Sequence, residues 1–278
     1  TSGITPLSST EGTVSSFGGE LLIALFLVFA LSRQTFTRDG LVSGFERFRY
    51  DHELRVGFTL AVTVPLLLFL RHWVGAISDA GDTPIFEGLQ ALWGGFFTVL
   101  SFLTTTGFIS TSWPVAQEWS GIATPGLIFV GLALTGGGVA TTAGGIKLLR
   151  VHVLYRYSQG EVERLIHPNA VGRKPRDAQV NWRQGAFIAW VFFMLFAISI
   201  ALVMLALALT GLEFEASLVL AVSALSTTGP LAQIVSDNGA VYSTLSSSAQ
   251  TILALSMILG RLETLAIISL LNPEFWRK

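Results

Sequence analysis

LTTTGF, residues 103–108, sets three threonines and a glycine inside a stretch that otherwise holds almost nothing but Leu, Val, Phe, Gly and Trp. The pattern returns as LSTTGP at 225–230, a spacing of 122 residues. Both copies follow a short apolar stretch, which itself follows a long apolar run and an acidic link, and both precede another apolar segment. The repeated unit reads as span, half-helix, Thr-Thr-Gly turn, span. TSGITPLSS at 1–9 reads as the tail of one more such turn, with its second span at 18–31. The chain then divides into 1–55, the end of one unit; 56–182, a whole unit with a cytoplasmic loop; and 183–278, another unit with the C-terminus.

The surroundings define the solvent. With 51% hydrophobic residues, 13% charged residues and a mean hydropathy of +0.62, the chain lies far from soluble domains, in which roughly a quarter of residues are charged. It reads as an all-α, multi-pass membrane protein with the lipid bilayer as its partner. A hydrocarbon core takes about 20 helical residues to cross. Spans are expected at 18–31, 56–74 (with Pro65 and an Arg71-His72-Trp73 flank), 121–140, 186–210 and 250–271. The stretches 84–100 and 215–225 are too short to span and predict re-entrant half-helices.

Charge sets the orientation. Five arginines lie in 32–55 and eight Lys or Arg in 147–183, whereas 72–120 and 211–250 carry none. The positive-inside rule makes the first pair cytoplasmic and the second external. The external segments hold Asp79, Asp82, Glu87, Glu118, Glu213, Glu215 and Asp237, a field that gathers cations; a solvated acidic rim without transport meaning is the plainer alternative. No cysteine is present, so thiolate metal sites are excluded.

Non-helical backbone at membrane depth persists only where it lines water or is enclosed by protein. Glycine permits dihedrals that turn successive carbonyls one way, threonine adds hydroxyl oxygens, and rings of such oxygens replace the hydration shell of an alkali cation. A half-helix ending there adds its negative dipole end. The candidate K+ ligands are Thr1, Ser2 and Gly3; Thr105, Thr106 and Gly107; and Thr227, Thr228 and Gly229. Close helix packing through small residues is the alternative, weakened by the second copy.

These turns, together with GGGVATTAGGIKLLRV (136–151), ERLIHPNAV (163–171) and GRLETLAIISLLNPEFWRK (260–278), resemble the Trk/Ktr/HKT superfamily of potassium transporters, most closely its bacterial TrkH branch. The resemblance implies four such units around one potassium-channel-like pore in the bacterial inner membrane, K+ as the transported ion, a homodimer, and a cytosolic nucleotide-binding regulatory subunit of the TrkA type. It implies neither enzyme activity, an organic cofactor nor a nucleic-acid partner. The first unit and most of the second would lie upstream of Thr1, so the chain is expected to be part of a longer protein. TSGI at 1–4 lacks the usual Phe after glycine, and in parts of the family the first unit's filter bears on potassium against sodium preference. A sodium-permeable or sodium-coupled relative, and a non-conducting scaffold or partial gene product, are the rival readings.

The resemblance also makes 134–147 an intramembrane gate loop. Gly136, Gly137, Gly138, Gly144 and Gly145 cannot sustain a helix, each costing about 1 kcal/mol against Ala, and Thr141 and Thr142 offer hydroxyls to free backbone. Close packing of small residues is again the alternative. Lys147 either takes part in gating or snorkels to the cytoplasmic interface with Arg150. Arg261 stands in the last span, where a cation is costly without water or a partner; the resemblance puts it in the pore below the filter, and a pair with Glu263 is the alternative. HELRV at 52–56 is no HExxH zinc site, and GGIK is no phosphate-binding loop. His52, His72, His152 and His167 lie in loops or flanks. The basic 155–183 segment suits lipid headgroups or a docking protein.

Overall fold

The computed structural model describes residues 17–31, 52–76, 85–121, 126–139, 141–167, 176–235 and 242–262. Thr1, Ser2, Gly3 and Glu263 lie outside these residues. The helices are α1 (Phe17–Phe29), α2 (His52–Ala76), α3 (Ile85–Leu103), α4 (Trp113–Ser120), α5 (Gly126–Thr135), α6 (Leu148–Ile166), α7 (Arg176–Ala208), α8 (Phe214–Leu225), α9 (Leu231–Val235) and α10 (Ser247–Leu262), with a 3-10 turn at Tyr242–Thr244 before α10. No strand occurs among the described residues.

Sequence period decides which face each helix buries. On α2, Glu53, Gly57, Ala61 and Pro65 recur every fourth residue and are all buried, while Phe58, Val62, Leu66, Leu67 and Leu70 stand exposed on the other faces. Exposed large apolar side chains suit lipid rather than water as the surrounding medium. Pro65 sits within α2 at a close contact with α3, since a Cβ on Gly95 would lie 3.3 Å from the Pro65 Cβ. Glu53–Leu70 and Gln184–Ala208 are long and apolar enough to cross a membrane. At about 1.5 Å per residue the 33-residue α7 runs about 50 Å, longer than a bilayer core, so its polar first turns extend beyond the apolar window.

The two half-helices are the enclosed elements. α3 runs three residues past the predicted end, to Leu103, and from Phe97 onward every residue is buried; α8 is buried from Val219 to its end. In the first copy α2 packs on α3 and α5 on α3; in the second α7 packs on α8 and α10 on α8. Between copies the same neighbour relation recurs, α1 against α3 and α5 against α8. Phe129 of α5 stacks on Phe102 with ring centroids 4.4 Å apart and meets Trp113 of α4 at 5.0 Å, locking the end of α3 in place. α5 stops after ten residues at Thr135, and the chain becomes helical again only at Leu148, so the predicted break in the 121–140 segment is present.

Candidate functional site

The two half-helices end in the same turn. The N–H of Thr104 donates to Leu100, that of Thr105 to Phe102 and that of Thr106 to Ser101; 122 residues later Ser226 donates to Val222, Thr227 to Ala224 and Thr228 to Ser223. The hydroxyl pair Thr104–Thr106, 3.2 Å apart, recurs as Ser226–Thr228 at 3.0 Å. Most telling, φ is +56° at Thr105 and +57° at Thr227. A β-branched residue in the left-handed region is a backbone outlier costing about 1–3 kcal/mol, held only where the surroundings impose it, and such strain gathers at functional sites. The unusual dihedrals expected of the glycines thus fall on the middle threonine of each copy. Of the glycines, Gly107 shares them (φ +83°) and Gly229 does not.

The turns differ in what they leave over. In the first copy the N–H groups of 104–107 all point back onto α3, with Gly107 also donating to Ser101 at 3.3 Å. Among the described residues nothing donates to the carbonyls of Thr104, Thr105, Thr106 or Gly107. These residues are buried, and buried carbonyls without partners are rare. Carbonyl oxygens left free in succession at a helix C-terminus are groups that can coordinate a cation. In the second copy Ser223 Oγ donates to the Thr228 carbonyl at 2.9 Å and the Tyr242 hydroxyl to the Gly229 carbonyl at 2.9 Å. Burial pushes the Tyr242 phenol up from its ordinary value, which keeps it protonated and able to donate. Only the Thr227 carbonyl is left without a described donor there, beside a buried Thr227 hydroxyl without a described partner.

The turns and the glycine loop form one assembly. A Cβ on Gly107 would lie 3.0–3.2 Å from the Pro230 ring, so the two copies abut. The Gly144 N–H donates to the Thr105 hydroxyl at 3.0 Å, while a Cβ on Gly144 would overlap the Ser226 carbonyl. Gly144 therefore touches both turns. Gly136, with φ +69°, abuts the Gly144 carbonyl, and Gly145, with φ +79°, lies against the Ala133 and Leu134 carbonyls. Gly137 faces Ala143 and the Cα of Thr104, and Gly138 the carbonyls of Ala30 and Leu31. The loop is pinned by Ile146 N–H to Leu134 at 2.9 Å and Leu148 N–H to Gly137 at 3.1 Å. Thr141 Oγ1 donates to the Gly138 carbonyl at 2.6 Å.

Lys147 and Arg261 both reach this loop. Lys147 is buried, with φ +76°, and its Nζ donates to the Val139 carbonyl at 3.3 Å. Arg150 stacks over Phe192, 3.5 Å from the ring centroid. Arg261 on α10 is exposed and donates to the Thr142 carbonyl at 2.8 Å, and the preceding Gly260 abuts the Leu225 backbone.

Several participants escape sequence inspection. Thr98 and Ser101 on α3 and Thr104 just past its end recur every third residue, and all are buried. They serve the chain returning from the turn: Phe108 N–H donates to Ser101 Oγ at 2.6 Å and Ser110 N–H to Thr98 Oγ1 at 3.3 Å. The three-residue spacing of hydroxyls on an apolar half-helix was a legible signal. Tyr242 had none, whereas Glu20 on α1, whose carboxylate accepts from Trp93, Ser110 and Thr111, was marked as the one acid in the apolar 18–31 run.

Known proteins resemble this chain in sequence and in fold. The family model described as "TrkH: Cation transport protein" matches residues 43–277. The Trk system potassium uptake protein TrkH of Escherichia coli K12 is 30% identical over 226 residues, covering 80% of this chain and 42% of the relative. Its counterpart from Halomonas elongata is 34% identical over 197 residues, covering 70% and 39%. The chain thus spans about half the length of the curated relatives it matches, or less. The crystal structure of the potassium transporter TrkH from Vibrio parahaemolyticus superposes with a TM-score of 0.72 at 24% identity, covering 95% of this chain and 54% of that one. With the family model matched over residues 43–277 and relatives at least 30% identical over most of its length, this chain belongs to the TrkH family of cation transport proteins.

Proposed function

We propose that the chain is part of the conducting subunit of a potassium uptake system, with the Thr-Thr-Gly turns as filter segments and 136–147 as the gate beneath them. The observation that carries this reading is the pair of strained threonines, Thr105 and Thr227, set at the C-terminal ends of two half-helices and, in the first copy, standing among the four carbonyls of 104–107 that have no described donor. Strain and unpartnered oxygens are both costly, and one cation offsets both: it rewards the oxygens that the backbone has turned toward it. The potassium uptake named in the relatives supplies the ion.

In this reading Thr105, Thr106 and Gly107, Thr227, Thr228 and Gly229, and Thr1, Ser2 and Gly3 bear on the ion path from successive units. The acidic segments 72–120 and 211–250 lie outside and the basic ones inside. Two copies of the full gene product assemble, and a cytosolic nucleotide-binding subunit of the TrkA type acts on the basic inner face. Lys147 and Arg261, both bonded to carbonyls of the glycine loop, hold that loop across the path, and their charge raises the barrier to cations.

The test is uptake. The full product of the gene, expressed in a bacterium lacking its own potassium uptake systems, restores growth at low potassium and accumulates rubidium, with sodium competing weakly. Cysteines placed singly at 135, 139, 141 and 143 change their accessibility from the cytoplasmic side between resting and activated states, against a background without native cysteine. Absence of rubidium uptake by a correctly inserted protein overturns the reading. Equal competition by sodium replaces it with a sodium-permeable transporter.

A further inference from the structure

Glu20 lies on α1 and is 3% exposed, yet both its carboxylate oxygens are filled. Oε2 accepts the Trp93 indole N–H at 2.9 Å and the Ser110 hydroxyl at 2.8 Å; Oε1 accepts the Thr111 N–H at 2.7 Å and the Thr111 hydroxyl at 2.9 Å. An ionised carboxylate is an acceptor-only group with about four lone-pair sites, and the protein supplies four donors. Three of them belong to residues 110 and 111, immediately downstream of LTTTGF. The carboxylate therefore grips the exit segment of the first turn from a neighbouring element, while Ser101 and Thr98 grip the same segment from α3.

The second turn leaves differently. Its Leu231 N–H donates back to Thr228 at 3.1 Å, α9 begins at once, and Tyr242 holds the Gly229 carbonyl. In the first copy the exit is non-helical from Thr106 to Ser110, and with no donor on the carbonyls of 104–107 their direction follows from the contacts at Thr105 and Gly107 and from what fixes the two ends of the segment. One end is the α3 terminus. The other is the Ser110–Thr111 corner that Glu20 anchors, itself braced by the Ser112 N–H on Ser110 Oγ at 3.1 Å.

We propose that Glu20 is a positioning residue for cation selection: by fixing the 110–111 corner it sets the direction of the 104–107 carbonyls across the strained Thr105 and Gly107 backbone. The inference rests on the reading of this turn as a filter segment. A carboxylate suits the task because it accepts four bonds at once and donates none, so the corner has one orientation that satisfies every donor. Glu20→Gln keeps the size of the side chain but turns one oxygen into an NH2 group facing donors. Ser110→Ala and Thr111→Val each remove a single donor hydroxyl.

The experiment measures rubidium uptake and its inhibition by sodium in the full gene product, alongside membrane insertion and thermal stability. Glu20→Gln is expected to lower the preference for rubidium over sodium about tenfold, equivalent to about 1.4 kcal/mol. Ser110→Ala and Thr111→Val should shift it the same way by less, and Glu20→Asp should retain more of the preference than Glu20→Gln. A purely structural Glu20 would reduce the amount or stability of the protein and leave the preference of the surviving fraction unchanged; that result overturns the proposal. Where Glu20→Gln fails to insert, the two hydroxyl variants decide, and wild-type sodium competition in both overturns it equally. A wild-type protein that takes up no rubidium overturns the transport reading and this inference with it, whereas a selective wild type with an equally selective Glu20→Gln removes this inference alone.

Discussion

Gly144→Ala places a methyl group where backbone already stands. The added Cβ would overlap the Ser226 carbonyl oxygen and lie 2.5 Å from its carbon and 2.9 Å from the Ser226 Cα. No side chain can swing away to make room, since every one of these neighbours is main chain of the second Thr-Thr-Gly turn. Relief requires a shift of about 1 Å in the loop or in that turn. Overpacking of this kind costs about 1–3 kcal/mol, and lifting the loop also breaks the 3.0 Å bond from the Gly144 N–H to Thr105 Oγ1, worth about 0.5–1.5 kcal/mol. Together about 2–4 kcal/mol is removed from the seated loop, which shifts an equilibrium between seated and displaced loop by about 30- to 700-fold. The expected variant inserts normally but leaks, with rubidium flux in the resting state well above wild type. Gly131→Ala is the matched control, because a Cβ there meets nothing within 4 Å and alanine favours the helix. Resting flux of Gly144→Ala equal to that of the control would refute the reasoning that the loop closes the path by wedging against both turns.

Two further outcomes separate residues that the sequence treats alike. Gly107→Ala, with φ +83° and the Pro230 ring 3.0–3.2 Å away, should lose rubidium uptake or its discrimination against sodium, whereas Gly229→Ala, whose Cβ meets nothing within 4 Å, should be milder; equal defects in both would refute the distinction. Arg261→Ala removes the 2.8 Å bond to Thr142 and a fixed charge, and should raise resting rubidium flux with the protein still inserted; a folded variant with wild-type flux takes Arg261 out of the mechanism.

How far the sequence carries depends on the range over which each feature is decided. The 122-residue correspondence and the end of α8 at Leu225 were legible at LTTTGF and LSTTGP, because backbone bonds such as Thr106 to Ser101 and Thr228 to Ser223 close over five residues, whereas α3 ran on to Leu103, three residues past its expected end. The break after Thr135 was legible too, since clustered glycines weaken a helix whatever surrounds it. The seat of the strain was misplaced. Glycine is the residue that tolerates left-handed backbone most readily, yet Thr105 and Thr227 adopt it, each with its N–H paired three residues back at the end of a packed helix.

Hydrophobic run length, charge bias and internal repetition belong to the sequence by itself, since burial in lipid, the positive-inside bias and turn chemistry act on neighbouring residues. They specify a helical membrane chain with equivalent hydroxyl-glycine turns and a glycine-rich interruption. Only tertiary structure decided that the turns are unequal, with Tyr242 closing one carbonyl of the second and Glu20 bracing the exit of the first. The same holds for Gly144, which joins Thr105 to Ser226, and for Lys147, which turns inward to Val139. Several of these contacts bridge elements far apart in sequence, 90 residues between Glu20 and Ser110 and 39 between Thr105 and Gly144. No local preference of either partner encodes them. They form because chain packing brings a buried donor to the one acceptor within reach, and leaving either without a partner would cost about 1–3 kcal/mol.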